Sequence, residues 1–553
     1  MAATLGRMVW FIHRRATFLG SFLLFAQLAA PAQNGTAKQP TPAAPTMLNG
    51  VLFGEQIAAI VNEPAVSRAH WGISVATLDG TPIFSLNDGQ FFQPASNLKL
   101  FTTAAALALL PAEERLVTRV IGSGNYGNDG SFTGDLVLKG VGDANLSGRP
   151  VPYLRPVPGQ SAPHRDELRY IDELADKVKA AGITRIQGNV VGDDSLMPND
   201  PYPENWSIDD TPWYYGAPIN ALMIADNAWT LTIRPGAGAG ASPTVEADPA
   251  LPFYTVDMQA KTVAKGGESA LDIQREMNTR TVHVYGTLAA DAKPYVQEMS
   301  IGEPAEYTAS ALKAALEKRG ITVSGTATAK HATFSETAFM RHSVEPVDIT
   351  HTSPARTLLL APATCSDCTT KVLAEHTGPL LRDDIAITNK TSENQHAELL
   401  LRQLGLFTTG SGTTVQGERV LRTWLTQQVK VDQDDFVFYD GSGLSGHDLV
   451  TPRAITRLLS YAATQSWGAL WKDSLPVGGR DGSLRGRFPA APLKDHIFAK
   501  TGTLGEVHAL SGYIDCSSGQ TLIFSVIVND HTPRTNDDLK AMDRILAAIA
   551  AGN

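Results

Sequence analysis

The stretch FFQPASNLKL, residues 91–100, runs from two aromatics and a proline into the start of a helix. Ser96 and Lys99 stand three positions apart there, and residues at i and i+3 share one helix face. A lysine amine can therefore reach a serine hydroxyl. The same spacing recurs at Ser310 and Lys313 in ASALKAAL, so the pair by itself decides nothing. The surroundings decide. LFTTAAALALL continues the helix after Lys99, and HWGISVATLDGTPIFSLNDG before it holds two alternating runs joined at Asp79-Gly80, a hairpin signal. GEQIAAIVNEPAV, earlier still, places Ile57, Ile60 and Val61 at helical spacing. The opening unit thus reads as helix, hairpin, helix.

The far end of the chain answers it. FAKTGTLGEVHALSGYIDCSSGQTLIFSVIVND reads as three alternating runs joined by glycine turns. NDDLKAMDRILAAIA follows with acidic residues in its first turn and Leu539, Met542, Leu546 and Ile549 on one stripe. Strands from both ends can pair in one antiparallel sheet flanked by helices. From about residue 117 the texture differs: short strands and glycine turns alternate with helices such as RDELRYIDELADKVKAAGI and YTASALKAALEKRGI. Helical texture returns at SPARTLLLAPA, VLAEHTGPLLRDDIAITNKTSENQHAELLLRQLG and QGERVLRTWLTQQ. The expected class is α+β, with residues 48–116 and 345–553 forming one catalytic-type domain. Residues 117–344 form one or two inserted α+β units.

Composition narrows the function classes. A chain of 553 residues, 43% hydrophobic and 18% charged, is globular, and a net charge of -10 lacks the basic surface that nucleic acid requires. Arg7, His13, Arg14 and Arg15 precede the apolar ATFLGSFLLFAQLAAPAQ, which ends in small residues. That pattern predicts a signal peptide over 1–32, then a Pro/Thr/Ala linker over 33–47 and a protein working outside the cytoplasm. No later apolar run is long enough to cross a bilayer. Three cysteines, Cys365, Cys368 and Cys516, supply one C-x-x-C without the second pair a zinc site wants, so a local disulfide and surface thiols both stay open. Two G-x-G-x-x-G matches, at Gly122 and at Gly441, lack the strand-to-helix setting of a nucleotide site.

Three short motifs occur in order: Ser96-Asn97-Leu98-Lys99, Ser392-Glu393-Asn394 and Lys500-Thr501-Gly502. Each is weak alone; the order and the settings are specific. A serine hydroxyl needs a base to take its proton during attack, and Lys99 can do so if its pKa is lowered by burial or a neighbouring cation such as Lys500. The start of the helix aims the Ser96 N–H at a developing oxyanion, and the Thr503 N–H on a strand edge is the natural second donor. Gly502 lets a substrate approach that backbone. Ser392 can relay a proton to the leaving amine, and Asn394 can hold Lys99 and a substrate amide. Ser310 and Lys313 have no such followers and read as a helix-surface pair.

With these motifs the chain resembles the D-alanyl-D-alanine carboxypeptidase/endopeptidase family of low-molecular-mass penicillin-binding proteins, in its insertion-containing subgroup. LVLKGVGDANL, GNVVGDDSLM, WYYGAPINALMIADN, YDGSGLS and LPVGGRDGSLRGRF resemble family segments in the same order. The resemblance implies a penicillin-recognising transpeptidase-like fold, a serine acyl-enzyme, peptidoglycan stem peptides as substrate and β-lactams as inhibitors. It implies no cofactor and no metal. It further implies that Lys500, Thr501, Gly502 and Thr503 bind substrate, and that Asp193 in GDDS helps from the insertion. Many relatives carry Arg after DGSGLS, where this chain has Gly446, and LLLAPATCSDCTTK departs from the family pattern. A β-lactamase shares the motifs but lacks the insertion, and a non-enzymatic wall-binding protein would have a broken motif. The balance of carboxypeptidase and endopeptidase action and the oligomeric state stay open.

Overall fold

The computed structural model describes residues 47–48, 51–157, 159–160, 165–276, 278–333, 344–354 and 369–552. The expected signal peptide, most of the linker, and Cys365 and Cys368 lie outside those residues. Cys516 is a buried free thiol.

The chain opens with α1 (Phe53–Val61), β1 (His70–Thr77), β2 (Pro82–Leu86) and α2 (Lys99–Leu109). The insertion follows with β3 (Val117–Tyr126), β4 (Ser131–Lys139), α3 (Arg169–Ala180), β5 (Arg185–Gln187) and β6 (Val190–Pro198). It continues through β7 (Ala228–Arg234), β8 (Thr244–Asp248), β9 (Thr255–Met258), β10 (Lys261–Val263), β11 (Ala270–Arg275), β12 (Thr281–Ala289) and β13 (Tyr295–Ser300). Helix α4 (Pro304–Lys318), β14 (Thr322–Val323), β15 (Ala327–Ala332) and β16 (Thr370–Thr377) complete it. Then come α5 (Leu381–Thr391), α6 (Asn394–Thr409), α7 (Thr414–Trp424), α8 (Pro452–Ala463) and α9 (Gly468–Ser474). The last elements are β17 (Ile497–Leu504), β18 (Val507–Asp515), β19 (Thr521–Asn529) and α10 (Asp537–Gly552).

Strands from the two chain ends form one five-stranded sheet in the order β17-β18-β19-β1-β2, every pair antiparallel. Its centre is buried on both faces, which is why β19 reads TLIFSVIVN with no regular polar alternation. Leu522, Phe524, Val526 and Val528 join the core with Ile57 of α1 and Met542, Ile545 and Ile549 of α10. Ile523 and Ile527 face the other core, with Leu100 and Phe101 of α2, Leu400 of α6 and Ile455 of α8.

The insertion has its own core, in which α3 and α4 pack on a seven-stranded sheet. A four-stranded and a three-stranded sheet sit beside it in sequence, β9–β12 and β7, β8, β13. Strand β16 pairs with β3 across Thr370–Thr377. It corrects the helical reading of VLAEHT: Ala374 and His376 alternate inward, and an open sheet edge satisfies the backbone. Since β16 lies beyond residue 344, the inserted sheet takes its edge strand from the segment leading back to the catalytic half. No helix among the described residues is long and apolar enough to cross a membrane.

Candidate active site

Pro94 ends the extended entry, Ala95–Leu98 makes one 3-10 turn, and Lys99 begins α2. Ala95 takes φ 46, a left-handed conformation that costs a residue with a Cβ and persists only where packing imposes it. Two glycines supply that packing. A Cβ on Gly443 would stand 1.9 Å from the Ala95 carbonyl oxygen, and one on Gly502 would stand 2.7 Å from that of Pro94. Only bare backbone fits on either side of the nucleophile turn. The expected reason for Gly502, room for a substrate, is thus joined by a nearer one, room for the Ser96 turn.

Lys99 is fully buried, and its Nζ lies 2.9 Å from Ser96 Oγ, 2.6 Å from Asn394 Oδ1 and 2.7 Å from the Ser442 carbonyl. Burial lowers its pKa to about 8, against the pull of Asp440, Glu398, Glu393 and Asp448. A neutral amine has two hydrogens and one lone pair. The Asn394 and Ser442 oxygens can only accept, so in that form they take the hydrogens and the lone pair faces the Ser96 hydroxyl, whereas the ammonium donates to all three.

Helix α5 stops because Ser392 turns left-handed, at φ 67, and α6 restarts at Asn394. That break brings both residues to the site. Lys500 is also fully buried; its Nζ donates to Ser392 Oγ at 2.8 Å and to the Thr501 carbonyl at 2.9 Å. Burial, then repulsion from Lys99, holds its pKa well below the usual lysine range. Thr501 Oγ1 meets Ser483 Oγ at 2.7 Å. On β17, the outer strand, Ala499 N–H donates away from the sheet to the Pro476 carbonyl. By the two-residue period the backbone N–H of Thr501 and Thr503 face that same open edge. Ser96, Lys99 and Asn394 are thus one hydrogen-bonded set and Ser392 with Lys500 a second, the two lysines close enough to repel, beside a strand edge.

A family model described as D-Ala-D-Ala carboxypeptidase 3 (S13) matches residues 53–349 and 359–549. The chain belongs to that family. It is 32% identical over 489 residues to a D-alanyl-D-alanine carboxypeptidase of Actinomadura sp., covering 86% of this chain and 81% of the relative. Its fold matches penicillin binding protein 4 (dacB) of Haemophilus influenzae with a TM-score of 0.71 at 20% identity, covering 89% and 98% of the two chains. The same H. influenzae protein complexed with a β-lactam matches at 0.66 and 19% identity, over 90% and 99%. The family and the transpeptidase-like fold with its insertion, expected from the motifs, both stand. This is a serine-type peptidase.

In this D-Ala-D-Ala carboxypeptidase family member the cluster also rests on residues to which the motifs assigned no role. Asp440 accepts backbone N–H bonds from Ser442, Gly443, Leu444 and Ser445 and the indole N–H of Trp206, which fixes the carbonyl of Ser442 on Lys99. Buried Glu398, raised to about 8 by burial and then by Asp440, accepts from Gly441 N–H at 3.0 Å. YDGSGLS carried the signal as a family-like segment, but a carbonyl ligand leaves no mark in a side-chain pattern. Glu393 is held by Arg149, which also binds Asp226. Asp226 in turn meets His396, whose Nδ1 lies 2.6 Å from Asp384. Asn394 Nδ2 donates to the Tyr215 carbonyl, a second tie to the insertion.

Asp193 lies on β6 of the insertion. Its carboxylate accepts from Lys139 at 2.8 Å, Lys330 at 3.1 Å and Ser195, all within the inserted sheet, and none of its recorded bonds reaches the serine cluster. Burial would raise its pKa, but those donors hold it below the usual carboxylate range. Lys313 pairs with Glu317 at 2.6 Å, as a helix-surface lysine does.

Proposed function

We propose that the chain removes the terminal D-Ala from peptidoglycan stem peptides, outside the cytoplasm, through an acyl-enzyme on Ser96. The supporting observation is the setting of Lys99: two acceptors and the Ser96 hydroxyl around a buried nitrogen whose pKa is lowered to about 8, so that the neutral amine a base requires comes within working pH. Ser96 Oγ attacks the penultimate D-Ala carbonyl while Lys99 takes the hydroxyl proton. The oxyanion forms between the N–H groups of Ser96 and Thr503. As the C–N bond breaks, Ser392 passes its proton to the departing D-Ala nitrogen and takes back the one Lys99 removed from Ser96, which returns Lys99 to the neutral amine. Lys500 keeps its proton and holds Ser392 Oγ in place. The second Asn394 N–H is the donor for the substrate amide. The Lys500 ammonium takes the terminal carboxylate, whose charge repays what burial withholds from it. Water then hydrolyses the acyl-Ser96 ester with Lys99 again as base. A β-lactam acylates Ser96 by the same attack, in keeping with the β-lactam complex of the H. influenzae relative.

Fluorescent penicillin should label the protein and Ser310→Ala, and leave Ser96→Ala unlabelled; labelling of the last overturns the assignment. Mass spectra of digested cross-linked muropeptides read the rest. Loss of one D-Ala marks carboxypeptidase action, separation of cross-linked monomers marks endopeptidase action, and neither product from a labelling-competent protein overturns the peptidase reading.

A further inference from the structure

On the face of the sheet away from Ser96, three ligand-type side chains converge. Ala509 packs under Gly502 and the nucleophile turn, so its neighbour His508 points to the opposite face, towards α10. There it meets Asp538 in the first turn of α10 and His531 in the loop after β19. One ligating atom from each lies within 4.8 Å of the others. His508 Nδ1 and Asp538 Oδ2 are 2.5 Å apart, and the two imidazoles stack with centroids 4.5 Å apart.

The bonding of this cluster is incomplete. His531 Nε2 and Asp538 Oδ1 are buried without a hydrogen-bond partner, in residues only 6% and 2% exposed. His531 Nδ1 lies 3.1 Å from the Thr532 carbonyl, which only accepts, so Nδ1 carries the hydrogen and Nε2 the lone pair. A lone pair and a carboxylate oxygen without hydrogen bonds in one cluster, the oxygen having His531 Nδ1 no nearer than 3.9 Å, are two acceptors, and water-excluded acceptors are unfavourable unless something positive joins them. A divalent cation meets that need, since it takes lone pairs from imidazole nitrogens and carboxylate oxygens together. We propose that His508, His531 and Asp538 form a Zn2+ site, with two nitrogens, one carboxylate and a fourth position opening past the half-buried His508. Two imidazoles and a carboxylate are ligands that zinc accepts in four-coordinate geometry.

The site would act on the strand that carries the oxyanion donor. His508 is the direct partner of Thr503 in the β17–β18 register, and His531 N–H donates to the Glu506 carbonyl in the turn between those strands. A bound ion therefore ties the turn, the loop after β19 and the start of α10 together, behind Thr503.

The test uses the full protein after dialysis against chelator, with Zn2+ followed by calorimetry and Co2+ by visible absorbance. The expected result is one ion per chain, intense four-coordinate Co2+ bands, and a melting temperature raised by Zn2+. His531→Gln and Asp538→Asn should each weaken uptake at least tenfold and abolish the melting shift, while both still label with penicillin. Absence of stoichiometric uptake by the wild type overturns the proposal, as does uptake unchanged in both variants. Should a variant fail to label, the wild-type Co2+ spectrum decides alone: weak six-coordinate bands mean loose surface binding and overturn it.

Discussion

At Lys99 the pKa sets when the base is available. Burial lowers it to about 8, so the neutral amine forms as pH rises to that value, and in that form Asn394 and Ser442 take its hydrogens and its lone pair faces Ser96. Acylation by a chromogenic β-lactam should therefore rise about tenfold per pH unit up to about 8 and then level off. A rate flat from pH 6 to 9 would remove Lys99 from the base role. Lys99→Arg should lower acylation by about 10²–10⁴, because guanidinium keeps its proton at any working pH. Stability carries the same signature. Between about 8 and the ordinary lysine value of 10.5 the unfolded chain binds the Lys99 proton and the fold does not. Stability from this group thus rises with pH across that window, and is lost as pH falls through 8. At Gly446 no atom stands within 4 Å of an added Cβ. Gly446→Arg should fold normally and raise the preference for diaminopimelate over lysine peptides, read from paired kcat/KM values. An unchanged ratio would mean that another cation already serves.

At the scale of elements, the nucleophile turn is a wedge between two backbones. Gly443 on one side and Gly502 of β17 on the other contact the carbonyls of Ala95 and Pro94, and Asn97 Nδ2 bonds the Lys500 carbonyl across the same seam. Gly502→Ala would place a methyl 2.7 Å from the Pro94 oxygen and 3.0 Å from Asn97 Nδ2, neither of which is a flexible chain end. Overpacking of this kind typically costs about 1–3 kcal/mol. The melting temperature should fall, and acylation should fall by more than the loss of folded protein explains, because the shift moves Ser96 itself. Wild-type acylation in a merely destabilised variant would show that the glycine serves the fold alone.

At the scale of the molecule, the insertion is fastened to the catalytic half through the Ser-Glu-Asn break. Arg149 holds Glu393 between Ser392 and Asn394, and Asp226 links Arg149 to His396 of α6. Despite burial, Asp384 and Asp226 raise His396 to about 10, so it is a cation at neutral pH and completes an alternating charge chain. Arg149→Lys keeps the charge but cannot fork to two carboxylates. Losing one charge-assisted bond, worth about 1.5–3 kcal/mol, should slow acylation about tenfold or more, while labelling still reaches completion. An unchanged rate would mean that the insertion holds nothing the chemistry needs.

The three motifs, the sheet shared by the two chain ends and the class of the insertion were all legible in the sequence, because each is written in side-chain type, order and period. A serine beside a lysine at i+3 is local, and so is an apolar strand. The helical reading of VLAEHT failed since a strand of only eight residues takes whichever backbone partner it meets, and the edge of β3 was not visible in the string. The carbonyl of Ser442, the glycine wedge, the Arg149–Asp226–His396 chain and the His508–His531–Asp538 cluster join residues far apart in sequence. They depend on backbone groups or on distances, which no pattern of residue types encodes. The sequence determined which groups could do the chemistry; the tertiary structure decided which were buried, and burial is what sets Lys99 at the pKa a general base needs.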